Sequence, residues 1–143
     1  MPLLEEFKYA DITRKIIGCA MSAHSYLGNA CLPKLQRRQG FQEIIYQKAL
    51  AYEFKLVQLE FERELEMDIF YKDMIEPLGT RRVDFVVEDK VLVELKATTE
   101  LEPSHYAQVL NYLRAFKLEV GLLINFGEKS LKYKRLILTP NTK

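Results

Sequence analysis

An excess of charge of either sign is what this sequence most conspicuously lacks. Over 143 residues, 21 Lys and Arg stand against 20 Asp and Glu, a formal net charge of +1. Nucleic-acid-binding domains usually show a strongly basic balance, so bulk charge does not announce one here. A local basic patch would still be enough for phosphate contacts. Cysteine is equally scarce. Cys19 and Cys31 form no C-x-x-C pair, and His24 and His105 add no zinc spacing to them, so they read as free thiols in a reducing compartment. No apolar run approaches the ~18 residues of a membrane span. The opening Met1-Pro2-Leu3-Leu4-Glu5-Glu6 is acidic and has no apolar h-region, unlike a signal peptide. Internal repeats and low-complexity tracts are absent. These gaps together lead us to expect a soluble, cytoplasmic protein with no membrane partner.

What is present fits one domain over residues 1–143. Hydrophobic residues make up 48% and charged residues 29%, which argues against a disordered chain. At this length roughly 70% of the unfolded surface can be buried, so a core needs no staples.

Ile12, Ile16, Ala20, Ala23 and Leu27 recur at helical spacing and predict a helix over 9–27, stopped by Gly28-Asn29. Residues 30–39 carry a proline and no period, and read as a loop. A second helix is expected from Phe41 to Phe54, with Phe41, Ile45, Ala49 and Tyr52 on its buried face. Residues 57–72 are β-favouring, and Pro77-Leu78-Gly79 looks like a turn. Val83–Val87 and Val91–Ala97 are short Val-rich strands. Pro103-Ser104 opens a helix that runs to Phe116. Val120–Phe126 reads as a strand buried on both faces, and Leu131–Leu138 as a last strand. The order α-α-β-β-β-α-β-β predicts an α/β protein with a mixed central sheet flanked by helices.

The segment from Arg81 to Ala97 carries the chemistry. Glu94 and Lys96 are two apart in a strand, so they project from one face, roughly 7 Å apart. The other residues of that strand are apolar, and buried charges need a partner or a purpose. Register decides whether Asp84 joins them. A three-residue loop, 88–90, sets Val87 opposite Val91 and Asp84 opposite Glu94. It also puts Val83, Phe85, Val91, Val93 and Leu95 together on the other face. A two-residue loop would break the cluster. Two neighbouring carboxylates repel, one lysine offsets this only partly, and a hard cation such as Mg²⁺ or Mn²⁺ relieves it. Such an ion polarises phosphoryl oxygens and lowers the pKa of water, and Lys96 can stabilise charge developing on a phosphate. The plain alternative is an exposed strand face with a casual ion pair.

Asp84 and Glu94-Leu95-Lys96 resemble the PD-(D/E)XK signature, with Val83 where the pattern has proline. Gly40-Phe41-Gln42-Glu43-Ile44-Ile45-Tyr46 matches a G-x-x-E-x-x-Y motif. With His24 and Leu27-Gly28 before it and Gly121–Gly127 after it, the chain resembles the GxxExxY family of the PD-(D/E)XK nuclease superfamily over residues 10–138. The resemblance implies a restriction-endonuclease-like core and Mg²⁺-dependent hydrolysis of nucleic-acid phosphodiesters. It implies that Asp84, Glu94 and Glu43 are metal ligands, Lys96 the catalytic lysine and Arg82 a basic position of the family. The sequence departs from the pattern in residues 30–39, which are inserted between Leu27-Gly28 and Gly40. A surface loop tolerates an insertion at little cost, but this one lies near the expected site and can alter access or mark a silent copy.

Glu43 and Tyr46 share a helix face. Without the motif they read as a surface Glu beside a packed Tyr; with it, Glu43 joins the acidic site and Tyr46 is a candidate substrate contact. His24 reads first as a satisfied, half-buried histidine, and second as a metal or phosphate contact. His105, Gln108 and Tyr112 form one stripe of the third helix. Gln108 and Tyr112 resemble the Gln-x-x-x-Tyr pair that follows the catalytic lysine in several nucleases of this superfamily, against the alternative of a solvated face. Arg81, Arg82, Lys129, Lys132, Lys134 and Arg135 are best placed for a nucleic-acid backbone, although the last four also suit an edge strand. The expected function is a metal-dependent nuclease acting on DNA or RNA, possible as a homodimer. The alternatives are a catalytically silent nucleic-acid-binding module or a protein-interaction accessory domain.

Overall fold

In a computed structural model, residues 8–30 and 41–138 are described. The elements run α1 (Ala10–Leu27), α2 (Glu43–Leu56), β1 (Phe61–Ile69), β2 (Gly79–Val87), β3 (Val91–Lys96), α3 (Pro103–Phe116), β4 (Val120–Asn125) and β5 (Lys132–Ile137). This is the order the sequence predicts. The expected loop over 30–39, apart from Ala30, lies outside the described residues, as do Cys31 and Gly40.

Among the described residues, five strands form one sheet in the order β1-β2-β3-β4-β5. Only β3 and β4 are parallel, and α3 makes the crossover between them that parallel pairing requires. Both strands are central, and all six residues of β4 are buried. Helices α1 and α2 cover one face, where Ile16, Tyr46, Leu50 and Phe54 meet Phe85, Val93, Leu95 and Ile124. Helix α3 covers the other, where Val109, Leu113 and Phe116 meet Val83, Val86, Leu92 and Leu123. The two edges differ in charge. β1 exposes Glu62, Glu64 and Glu66, whereas β5 exposes Lys132 and Lys134.

The β2–β3 turn has the register that chemistry and burial both favour. Val87 pairs with Val91 and Phe85 with Val93. Lys90 N–H donates to the Val87 carbonyl at 3.0 Å, and Glu88 and Asp89 take φ of 55° and 56°. Two consecutive positive φ values are the geometry whose twist suits a tight hairpin.

Two expectations about faces are corrected. In α2 the stripe Phe41, Ile45, Ala49 and Tyr52 is not the buried one. Tyr46, Leu50 and Phe54 are fully buried, while Tyr52 is 62% exposed. The helix is apolar nearly all round, so its periodicity offers two stripes. The buried stripe is the one whose aromatics find partners on the sheet side: it stacks Tyr46 on Phe126 and sets Phe54 edge-on to Phe85. In β2, Val83 does not join Phe85. It packs with Val86 and Leu92 beneath α3. Strand alternation fails at Asp84, and opposite it on β1 Glu64 has a positive φ of 54°. Leu65 accordingly follows Val83 to the α3 side, although Phe61 packs with the α1–α2 face.

The end of β3 is clamped to the end of β4. Phe126 N–H donates to the Lys96 carbonyl at 2.8 Å. The buried Asn125 accepts from Thr98 N–H and Gly127 N–H through Oδ1, and donates to the Thr98 carbonyl through Nδ2, each at 3.0 Å. Gly127 is required by this close approach, because a Cβ there would lie 1.9 Å from the Thr98 carbonyl oxygen. Gly127→Ala is therefore expected to destabilise the fold by about 3 kcal/mol, read as a lowered midpoint in urea unfolding.

Candidate active site

The β2–β3 ladder stops at Phe85–Val93, and side chains bridge the next step. Asp84 N–H donates to Glu94 Oε1 at 2.9 Å, and Leu95 N–H donates to Asp84 Oδ2 at 2.8 Å. Each acid thus takes the place of a main-chain acceptor in the neighbouring strand. Backbone N–H groups inside a sheet must be paired, so the two carboxylates are fixed by the same bonds that hold the strands together. From α2, the buried Gln47 donates Nε2 to Asp84 Oδ1 at 2.8 Å. From the opposite face, Lys96 Nζ donates to Gln108 Oε1 at 3.0 Å, and Gln108 Nε2 donates to Tyr112 Oη at 3.0 Å. Asp84, Glu94 and Lys96 are therefore brought together at a seam between two helices, not on one flat face as the sequence implied. The cause is the break in alternation at Asp84.

The electrostatics are those of crowded acids. Burial, then the charge of Asp84, pushes the Glu94 carboxyl up to about 8. Asp84 is also raised, chiefly by burial, against the opposing pull of the Leu95 N–H, Gln47 and Lys96. Glu43 is exposed as a residue at the start of α2. Partial desolvation of its carboxyl and the charge of Asp84 still raise it. The positive charge of Lys96 works against all three shifts without cancelling them. Tyr112 is raised too, by burial and then by the charge of Glu94.

Glu43, Gln47, Asp84 and Arg82 line a hollow of about 320 Å³ with Ile44 and Glu64. Arg82 is held at its rim by Glu66 at 2.7 Å and Glu64 at 4.0 Å. Among the described residues, no three His, Cys, Asp or Glu side chains stand in ready-made coordination. The donor set still suits a hard cation. It consists of carboxylate and amide oxygens, all three carboxyls are raised, and Gln47 Oε1 is buried with no partner. A cation would satisfy that oxygen and relieve the repulsion.

His24 and Tyr46 have other partners. His24 is buried, with Nε2 2.9 Å from the Glu128 carbonyl and its ring against Phe126. Tyr46 donates its hydroxyl to the Gly28 carbonyl and stacks on Phe126. Both tie the end of α1 to the start of α2 and the end of β4. His105 completes a capping box with Glu102 at the start of α3. Lys132 and Lys134 lie on the exposed edge strand β5, and Arg135 is bonded to the Lys8 carbonyl. Gln47 was missed by sequence reasoning. The available signal was its place one turn after Glu43 on the same helix, hidden by the choice of the wrong buried stripe.

The model of the PD-(D/E)XK nuclease superfamily matches residues 10–136. The chain belongs to the PD-(D/E)XK nuclease superfamily. Its mixed sheet with flanking helices is the restriction-endonuclease-like fold of that superfamily. The chain is similar to the crystal structure of SSO0001, with a TM-score of 0.51 at 18% identity over 66% of its residues. It spans about half of that protein, 48% of its length. A likeness at this identity bears on the fold alone. No curated protein matches the sequence. Among the described residues, no helix is long and apolar enough to cross a membrane.

Proposed function

We propose that this PD-(D/E)XK protein is a nuclease of the GxxExxY type, a single domain that hydrolyses nucleic-acid phosphodiesters with a divalent cation. The observation that carries this is the acid pair itself. Asp84 and Glu94 sit where the central ladder stops, both are held above the usual carboxylate range, and Lys96 lies two residues further on. A purely structural seam would be better served by main-chain hydrogen bonds, because buried carboxylates are costly.

Asp84 and Glu94, with Glu43 from α2, would hold Mg²⁺ or Mn²⁺, and Gln47 Oε1 would complete their oxygen set. When bound, the ion would polarise a phosphoryl oxygen and make water more acidic. Lys96, steadied by Gln108 and Tyr112, places a positive charge where the phosphate gains negative charge. Arg82 would meet a neighbouring phosphate by leaving its glutamate partners. For His24 and Tyr46 we favour packing over substrate contact.

Mn²⁺ is expected to raise the thermal stability of the wild type, since a ligand that binds only the folded state adds about 2.7 kcal/mol at a hundred times its Kd. Asp84→Asn should abolish that shift, as followed by calorimetry across a Mn²⁺ titration. A shift of the same size in the variant would remove these acids from the site. A silent nucleic-acid-binding module is the rival reading. Metal binding without cleavage of any nucleic acid would favour it.

A further inference from the structure

A second cleft opens on the α3 side of the same seam, between α3 and the hairpin of β1 and β2. Its volume is about 540 Å³, inside the roughly 300–1,000 Å³ range of small-ligand sites. Ile69, Leu78 and Ala107 give it an apolar wall, and Arg81 and Asn111 give it hydrogen-bonding groups and a positive charge. It joins the carboxylate seam directly. Gln108 and Tyr112 line the cleft, Gln108 is the partner of Lys96, and Tyr112 feels the charge of Glu94.

The hairpin that forms the outer wall is closed by Leu78 N–H on the Ile69 carbonyl at 2.7 Å. Its tip presents Phe70 and Tyr71, each 51% exposed, and Lys72 Nζ lies 5.1 Å from the Tyr71 ring centre. Exposed aromatics beside a cation make a stacking platform for bases. The hollow on the α2 side is a poorer path for a strand. Glu43 and Glu64 line it, and its arginine is already paired with glutamates.

We propose that the α3–hairpin cleft takes an unpaired nucleotide next to the phosphate at the acid pair, so that the protein acts on single-stranded nucleic acid. This rests on the nuclease reading above. A flat-faced base fits an apolar wall, and Asn111 and Arg81 can bond its edge or its phosphate. A base held in a duplex would have to be extruded first, at the cost of unstacking and unpairing. An unpaired strand meets no such cost.

The test is fluorescence anisotropy with labelled oligo-dT and oligo-rU of about 15 nucleotides and a blunt DNA duplex of the same length, in EDTA and again with Ca²⁺. The single strands are expected to bind about tenfold tighter than the duplex. The DNA and RNA arms identify the sugar. Ala107→Trp fills the cleft from an exposed helix position and should bring single-strand affinity down to the duplex level. Should that variant misfold by circular dichroism, Arg81→Glu, at an exposed strand position, carries the same comparison. Duplex bound as tightly as single strands, a preference that survives the variant, or no binding to any of the three probes would each overturn the proposal. The Mn²⁺ shift separates this failure from the larger one. A retained shift with duplex preferred sinks only the single-strand assignment, whereas a missing shift with no binding sinks both.

Discussion

Lys96→Ala and Asp84→Asn are each expected to lower divalent-metal-dependent phosphodiester cleavage by at least about a hundredfold, the scale of losing one preorganised charge-stabilising group. The two variants remove different things. Lys96→Ala deletes the cation that lowers all three carboxyls and leaves Gln108 without its donor. Metal affinity should survive, so the Mn²⁺ stabilisation persists while turnover is lost. Asp84→Asn keeps a carbonyl oxygen for the Leu95 N–H or for Gln47 but removes a charge. Relief of repulsion with Glu94 should hold its melting temperature at or above that of wild type, while both the Mn²⁺ shift and turnover disappear. The measurement is cleavage of a labelled single-stranded oligonucleotide in Mg²⁺ or Mn²⁺, beside calorimetry of the same samples. Full activity in either variant would show that the reaction does not use the acid–lysine cluster.

Without added metal, the protein is expected to lose stability as pH rises from about 5 to 8, by a few kcal/mol. The sign follows from Glu94. Burial and the charge of Asp84 push its carboxyl up to about 8 in the folded protein from an ordinary 4.5, so the folded state binds the proton more tightly than the unfolded chain. The contribution is complete below the unfolded value and disappears as pH climbs through the folded one. Asp84 and Glu43 are raised as well and act in the same direction. Glu94→Gln should flatten the profile, because an amide has no proton to lose. Mn²⁺ should flatten it from the other side, by supplying positive charge as the protons leave. Urea unfolding at a series of pH values, with EDTA and with Mn²⁺, gives the profile. A wild-type stability that rises over this range would mean that these acids are not crowded.

The fold was legible because its strongest elements have one reading each. Val120–Phe126 is apolar but for Asn125 and reads as a strand covered on both sides, and Pro103-Ser104 opens α3 where a helix start is favoured. The β2–β3 register was legible for a different reason: one-residue slippage would have turned valines out and acids in. The orientation of α2 was not legible, since hydrophobic residues surround it and only the partners on the sheet decide which stripe is buried. Val83 was misplaced because period-two reasoning assumes an unbroken pleat, and nothing local reports the break at Asp84. Of the candidate site, the nearness of Asp84, Glu94 and Lys96 to one another follows from spacing within one hairpin. Gln47 stands one turn after Glu43, but with the wrong stripe of α2 taken as buried that spacing did not point to Asp84, 37 residues away.

The acids of the seam are also mortar. Asp84 and Glu94 each accept a hydrogen bond that the next rung of the sheet would otherwise have received from a main-chain carbonyl. Cohesion of the central strands and the proposed reactivity of the site therefore depend on the same few oxygen atoms. Evolution cannot discard one without repairing the other. A lineage that lost the chemistry would still need acceptors at these positions, so amides are the substitutions with which such a site can fall silent while its sheet stays closed.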